Sequence, residues 1–73
     1  MSRIVAIGDE RRLAGYALAG VEVRPASSPA AVELAWADLV QDVALLVLTA
    51  EAHDALAPLL EARPELVWAV VPS

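Results

Sequence analysis

The sequence contains no cysteine and no lysine, and each absence removes a class of function. Without cysteine, the chain has no disulfide framework, no thiolate nucleophile and no zinc–thiolate site. Disulfide frameworks belong to oxidising compartments, so the cytoplasm is the expected location. Without lysine, the chain cannot contain the Gly-x-x-x-x-Gly-Lys-[Ser/Thr] loop that binds nucleotide phosphates.

Positive charge is scarce, because five arginines stand against ten acidic residues and the formal net charge is -5. Arg11 and Arg12 form the only adjacent basic pair, and the acidic residues Asp9 and Glu10 directly precede it. A protein that binds nucleic acid or an anionic membrane surface normally presents a basic patch. We therefore expect neither partner, and the composition suits a protein that binds another protein.

Long hydrophobic runs are also lacking, although hydrophobic residues make up 59% of the chain. The longest runs, residues 43–48 and 66–71, have six residues each. A membrane-spanning helix needs about 20. An intrinsically disordered chain would carry few apolar residues, so that class is excluded too. The composition predicts a dense core, with residues 1–73 forming one small domain.

The amino-terminal part of the chain predicts two strands and a helix between them. Residues 3–7 form a short β-branched run closed by Gly8, which is typical of a buried strand. A helix is expected over residues 9–19, with Asp9 as its cap and Gly20 just past its end. Residues 21–24 alternate apolar and charged side chains, as in a strand with one solvent-exposed face or a strand at the charged edge of a sheet.

The strongest helix-start signal is Ser28-Pro29, which places a capping hydroxyl before a proline at the first helical position. Apolar residues continue at helical spacing from Val32 to Val40 and include Trp36, which is therefore expected to pack in the core. Residues 43–48 predict a central strand covered on both faces.

The third helix is ambiguous, because Pro58 lies within residues 51–63 and removes one backbone hydrogen bond there. Thr49 can cap a helix that starts directly after it, but the proline favours either a late start with Asp54 as the cap or a kink near Asp54. His53, in the same segment, is expected to be solvated or to act as a cap. The apolar stripe of this helix is expected to consist of Leu56, Leu59 and Leu60.

Strands and helices alternate, and a fourth strand over residues 66–71 closes the pattern. This alternation predicts a parallel sheet with right-handed crossovers. The expected fold is a small flavodoxin-like, three-layer α/β domain with a four-stranded parallel sheet in the order 2-1-3-4 and three flanking helices. The fourth strand would then be an uncovered apolar edge, through which two copies could pair as a homodimer.

Open parallel sheets bind ligands at the carboxyl ends of their strands, and few residues there support chemistry. Asp9-Glu10 resembles the acidic pair of phospho-receiver domains, but Thr49 stands near the position of their phosphoacceptor aspartate. The single histidine, His53, gives no basis for a hydrolase triad or a histidine-based metal site. We therefore assign no catalytic, cofactor-binding or metal-binding residue. The alternative function is a stand-alone small-ligand-binding or receiver-like regulatory domain that uses a groove around Asp9, Thr49 and Glu51.

Three segments carry a family resemblance. The first joins Ile-Val-Ala-Ile-Gly-Asp at residues 4–9 to Gly-Tyr-Ala-Leu-Ala-Gly-Val at residues 15–21. The second is Asp-Val-Ala-Leu-Leu-Val-Leu-Thr at residues 42–49, followed by an acid at Glu51. The third is Val-Trp-Ala-Val-Val-Pro-Ser at residues 67–73. Together, and in this order, they resemble the F subunit of the V-type (A/V-type) ATPase and ATP synthase family.

The resemblance implies a flavodoxin-like domain without catalytic activity in the central stalk of a proton-translocating rotary ATPase. It also implies that the chain binds the coiled-coil D subunit of the stalk, assists coupling or regulation, and is peripheral to the membrane through the ATPase complex. The family usually continues after the fourth strand, so residues 1–73 are expected to form a single domain that lacks this carboxyl-terminal segment. The candidate interface residues lie at the strand ends and along the fourth strand: Asp9, Glu10, Thr49, Glu51, Leu66, Trp68 and Val70.

Overall fold

Strands and capped helices alternate along the chain in the computed structural model, which describes residues 3–39 and 43–71. The elements, in chain order, are β1 (Arg3–Gly8), α1 (Glu10–Leu18), β2 (Glu22–Pro25), α2 (Pro29–Ala37), β3 (Val43–Leu48), α3 (Ala50–Glu61) and β4 (Trp68–Val70). The predicted alternation is confirmed. Four residues that entered the sequence predictions, Val40, Asp42, Pro72 and Ser73, lie outside the described residues.

The four strands form one parallel sheet in the order β2-β1-β3-β4, as predicted. The two most apolar early strands, β1 and β3, lie in the centre. Val5 pairs with Leu46 and Ile7 pairs with Leu48, and all four residues are fully buried. The continuous apolar character of these runs therefore reflects burial by helices on both faces of the sheet.

β4 is shorter than the predicted strand of residues 66–71. Only Trp68, Ala69 and Val70 pair with β3. Leu66 N instead donates a hydrogen bond to the carbonyl oxygen of Arg63 at 3.1 Å, within the turn after α3. This turn keeps Leu66 out of the sheet.

The first two helices begin at the caps that the sequence predicts. Asp9 Oδ1 accepts a hydrogen bond from Arg11 N at 2.8 Å. Ser28 Oγ accepts one from Ala31 N at 3.2 Å, with Pro29 at the first position of α2. Each cap satisfies a backbone N–H that has no partner inside its own helix.

α3 begins early and runs through Pro58. Thr49 is its cap, because Thr49 Oγ1 accepts a hydrogen bond from Ala52 N at 3.3 Å. The prediction of a late start with Asp54 as the cap is therefore wrong, and a kink near Asp54 stays a prediction. Pro58 has no N–H to donate to the backbone carbonyl of Asp54, four residues earlier. Pro58 is exposed, and the side chain of Asp54 is 85% exposed. Water can therefore replace the missing donor.

The buried stripe of α3 differs from the predicted one, because the helix begins earlier than expected. Ala52, Leu56 and Leu60 are buried at positions i, i+4 and i+8, whereas Leu59 is 38% exposed. The predicted stripe is correct at Leu56 and Leu60 and wrong at Leu59. The four-residue spacing that includes Ala52 becomes visible only once the helix is known to begin at Ala50.

The helices cover both faces of the sheet, which gives three layers. α1 packs against β1 and β2 on one face, over the cluster of Ala6, Leu13, Val47 and Val71. α2 and α3 pack on the other face, and the larger cluster there consists of Val5, Ile7, Ala26, Val32, Leu46, Leu48, Ala52, Leu56 and Leu60. Trp36 is half-buried against this larger cluster, as expected. No helix within residues 3–39 and 43–71 has the length and apolar character needed to cross a membrane.

The two edges of the sheet differ in charge. At the β2 edge, Glu22 accepts hydrogen bonds from Arg3 at 2.7 Å and from Arg24 at 2.9 Å. Arg24 also donates to Asp38 at 2.9 Å. The hydrogen bond from Arg24, together with the charge of Arg3, holds the pKa of Glu22 below its ordinary value of 4.5. At the opposite edge, residues 66–71 carry no charge.

Candidate functional site

The carboxyl ends of the strands form a groove of about 350 Å³, which we call the strand-end groove. Its lining comprises Asp9, Arg12, Ala26, Ser27, Ser28, Pro29, Val32, Thr49 and Glu51. The structure thus brings together Asp9, Thr49 and Glu51, the three residues of the ligand-binding alternative. Glu10 lies beside them and lines an adjoining depression with Asp9.

The polar groups of the strand-end groove are engaged in starting helices. Asp9 caps α1, and Thr49 is 1% exposed with its hydroxyl bound to the start of α3. Glu51 lies in the first turn of α3, where a negative charge stabilises the helix dipole. Among the described residues, every buried side-chain nitrogen and oxygen has a hydrogen-bond partner. No group of three acidic, histidine or cysteine residues in that part of the chain could hold a metal ion.

Gly8 ends β1 directly before Asp9 and packs against Thr49, two residues that line the strand-end groove. Its φ angle is 152°, and a Cβ atom at this position would overlap the side chain of Thr49. Ala26 N donates to the carbonyl oxygen of Gly8 at 2.8 Å, and Thr49 N donates to that of Ile7 at 3.3 Å. These contacts tie the segments after β2 and β3 to the end of β1.

The second surface is the outer edge of β4, which pairs on that side with no strand of residues 3–39 and 43–71. Trp68 and Val70 are each 40% exposed, and Val67, just before the strand, is 61% exposed. Leu66 is half-buried against the larger core cluster. The seven candidate interface residues therefore lie in two separate groups, one at the strand ends and one at this edge of the sheet.

The backbone of β4 presents hydrogen-bonding groups to solvent. The residues that flank the strand bond to β3: Leu46 N donates to the Val67 carbonyl oxygen at 3.0 Å, and Val71 N donates to the Leu48 carbonyl oxygen at 2.8 Å. Successive residues of a strand direct their backbone groups to opposite sides. Trp68 and Val70 therefore direct their N–H and C=O groups away from β3, towards the open edge.

A contact between His53 and Trp68 joins α3 to this edge. The ring centroids are 4.8 Å apart and the ring planes are inclined by 37°. The His53 side chain is 31% exposed, with Nδ1 lying 3.7 Å from Asp54 Oδ1. Sequence reasoning missed this pairing, although the order of α3 and β4 places the helix beside the strand that comes after it.

His53 and Trp68 also line a groove of about 500 Å³, which we call the edge groove. Its lining is mostly apolar and comprises His53, Ala57, Pro58, Leu60, Glu61, Pro64 and Trp68. The edge groove adjoins the open strand at Trp68. An extended segment that bonded to β4 could therefore place a side chain in it.

The surroundings of the edge groove are acidic. Glu61 lines the groove, and Asp54 is adjacent to His53. Arg63 lies close by, with its guanidinium carbon 5.8 Å from the centre of the Trp36 ring, and its Nε donates to Glu65 Oε2 at 2.9 Å. This hydrogen bond lowers the pKa of the Glu65 carboxyl and engages the cation.

Comparison with known proteins identifies one family. A family model described as the ATP synthase (F/14-kDa) subunit matches residues 4–72, which include all seven elements except the first residue of β1. A search of curated protein sequences finds no match.

Proposed function

Because the chain belongs to the ATP synthase (F/14-kDa) subunit family, we propose that it binds the D subunit in the central stalk of a V-type proton-translocating ATPase and assists coupling or regulation. The chain carries out no catalytic step itself. It is peripheral to the membrane, reaching it through the other subunits of the complex.

The observation that carries this proposal is the family match across residues 4–72, on a chain whose fold agrees with the resemblance. The surface chemistry supports a binding role. The polar residues Asp9 and Thr49 are engaged in helix caps, whereas Trp68 and Val70 are apolar and exposed at a sheet edge. Exposed apolar residues on an unpaired edge are typical of a protein–protein contact.

Co-expression of the tagged chain with the D subunit from the same source tests the proposal. We expect one complex with a fixed ratio of the two proteins in size-exclusion chromatography, and co-purification with the A and B subunits from native extracts. Elution of the chain at its own mass of 7.7 kDa, beside the folded D subunit, would contradict the proposal.

A homodimer through β4 is a competing proposal for the occupant of that edge. It is favoured by one observation, the uncharged run of residues 66–71 with an open strand inside it. Sedimentation equilibrium over a wide range of concentrations measures the mass of the particle. A constant mass of one chain at the highest concentration would exclude the homodimer.

The ligand-binding alternative is favoured by the strand-end groove, in which Asp9, Thr49 and Glu51 lie together. Titration with divalent cations and with acyl phosphates, followed by tryptophan fluorescence, tests it. Asp9→Asn keeps a capping side chain and removes the charge, whereas Asp9→Ala removes both. A saturable response that both variants abolish would favour this alternative over a stalk role.

A further inference from the structure

We propose that the β4 edge and the edge groove bind an extended segment of another protein, with the pattern basic-x-apolar-x-basic, as a fifth strand of the sheet. The inference rests on the proposed function in one respect only, namely that the chain acts by binding a protein. It adds the surface that is used and the chemistry of the segment that fits it.

The backbone of β4 provides the first contact. Trp68 and Val70 direct their N–H and C=O groups to the open side of the sheet, so the strand offers two donors and two acceptors to a neighbour. Residues 66–71 contain none of the charged side chains that normally protect an edge. The β2 edge does carry such charges, at Glu22 and Arg24. β4 is therefore the edge that accepts a strand.

The edge groove provides the second contact. Side chains in an added strand alternate between the two faces of the sheet, so every second one lies on the α3 side. The groove there, of about 500 Å³, is lined by Ala57, Pro58, Leu60 and Trp68 among others. One aliphatic or aromatic side chain at the middle of the segment fits this lining.

The charges around the edge groove specify the flanking residues. Asp54 and Glu61 lie seven positions apart on α3, so they share a helix face and are separated by about 10 Å along its axis. Side chains four residues apart on a strand share a face and are separated by about 13 Å. Two long basic side chains at that spacing reach both carboxylates, with the apolar residue between them.

The same charges disfavour a second copy at this edge. Glu61 lines the edge groove and Asp54 lies beside His53 of that lining, while Glu65 directly precedes the uncharged run of residues 66–71 and binds Arg63. Pairing of β4 with β4 would bring the acidic groups of both copies to one junction. Like charges placed together at an interface oppose association, whereas a basic segment is attracted.

The test uses the full chain, labelled with nitrogen-15, and capped heptapeptides as probes. The basic probe is Thr-Arg-Thr-Val-Thr-Arg-Thr, and its matched acidic control has Glu in place of both Arg. We expect the basic probe to shift the backbone amide resonances of Trp68 and Val70, with an affinity that falls as salt is added. The acidic probe should leave these resonances in place. Equal shifts with both probes, or no shift at Trp68 and Val70, would overturn the proposal.

Two further measurements separate strand addition from simple charge attraction. Glu61→Lys should weaken binding of the basic probe by about three- to tenfold, whereas Glu33→Lys, on the exposed face of α2, should change it by less than about twofold. Two further probes carry backbone N-methyl groups, one at the Arg and Val residues and the other at the two central Thr residues. Alternate residues of a strand direct their N–H groups to opposite sides, so only one of these two probes should lose binding. Binding that tolerates both methylated sets would overturn the proposal.

Self-association is a distinct outcome. Shifts of the Trp68 and Val70 amides that grow with protein concentration, without any probe, would show that a second copy occupies the edge and would overturn the inference. Failure of this inference is also distinguishable from failure of the proposed function. Loss of probe binding with binding to the D subunit intact overturns the inference alone, and loss of binding to the D subunit with probe binding intact overturns the proposed function alone.

Discussion

Gly8 and Thr49 are packed so closely that position 8 has no room for a side chain, and Thr49 Oγ1 also caps α3. The contact joins the end of the first strand to the start of the third helix. Position 8 therefore favours glycine for two reasons. Its φ angle of 152° is one that other residues rarely adopt, and Thr49 leaves no space for a Cβ atom.

Gly8→Ala is expected to lower the free energy of unfolding by about 1–3 kcal/mol, because the added methyl group overlaps buried Thr49. Urea denaturation followed by circular dichroism measures this change. An unchanged midpoint would show that Thr49 can move aside without loss of its cap.

Gly15→Ala is the matched control, and we expect the opposite sign. Gly15 lies inside α1, and a Cβ atom there would meet nothing within 4 Å. Alanine stabilises a helix interior by roughly 0.5–1 kcal/mol relative to glycine. A loss of stability in the same denaturation assay would contradict the open surroundings of Gly15.

Thr49→Val is expected to lower the free energy of unfolding by about 1 kcal/mol, because it keeps the shape of the buried side chain and removes the capping hydroxyl. Ser28→Ala, at the exposed start of α2, should have an effect of about the same size through its own lost cap. Thermal melting of both variants gives the comparison. A neutral Thr49→Val would place the start of α3 later than Ala50.

Leu48→Ala is expected to lower the free energy of unfolding by about 2–5 kcal/mol, because Leu48 is fully buried beneath α2 and α3. Leu45→Ala, in the same strand, should have a smaller effect, since Leu45 is only half-buried on the other face. Equal losses of unfolding free energy in urea denaturation would contradict the lesser burial of Leu45 on the α1 face.

Glu22→Gln is expected to lower stability at neutral pH, where the ionised carboxylate binds Arg3 and Arg24. The pKa of Glu22 is lowered in the folded state, so its stabilising contribution is present above 4.5 and is lost as the pH falls below that value. The melting temperatures of wild type and variant should therefore converge in acid. Glu33→Gln, at a carboxylate with no ion pair among the described residues, serves as the control.

Much of the fold could be predicted because its signals are local. Ser28-Pro29 and Asp9 mark helix starts through their own side chains, and the apolar run of Val43–Leu48 indicates its central position. The order of the strands follows from placing the two most apolar early strands, β1 and β3, in the centre of a flavodoxin-like parallel sheet.

The remaining features depend on contacts between distant residues. Pro58 predicts a break in α3 when it is considered alone, but the cap at Thr49 and the buried side chains of Leu56 and Leu60 stabilise the helix through it. The contact between His53 and Trp68 joins residues fifteen positions apart, and no periodicity within either segment predicts it. The edge groove was missed for the same reason.

The contrast between the two edges also sets a limit on stoichiometry. A strand that adds at β4 meets open backbone groups, whereas a strand that approaches β2 meets the carboxylate of Glu22 and the guanidinium of Arg24. Growth of the sheet can therefore proceed in one direction only. Pairing of β4 of one copy with β2 of the next, the contact that would propagate copies into a fibre, is therefore disfavoured.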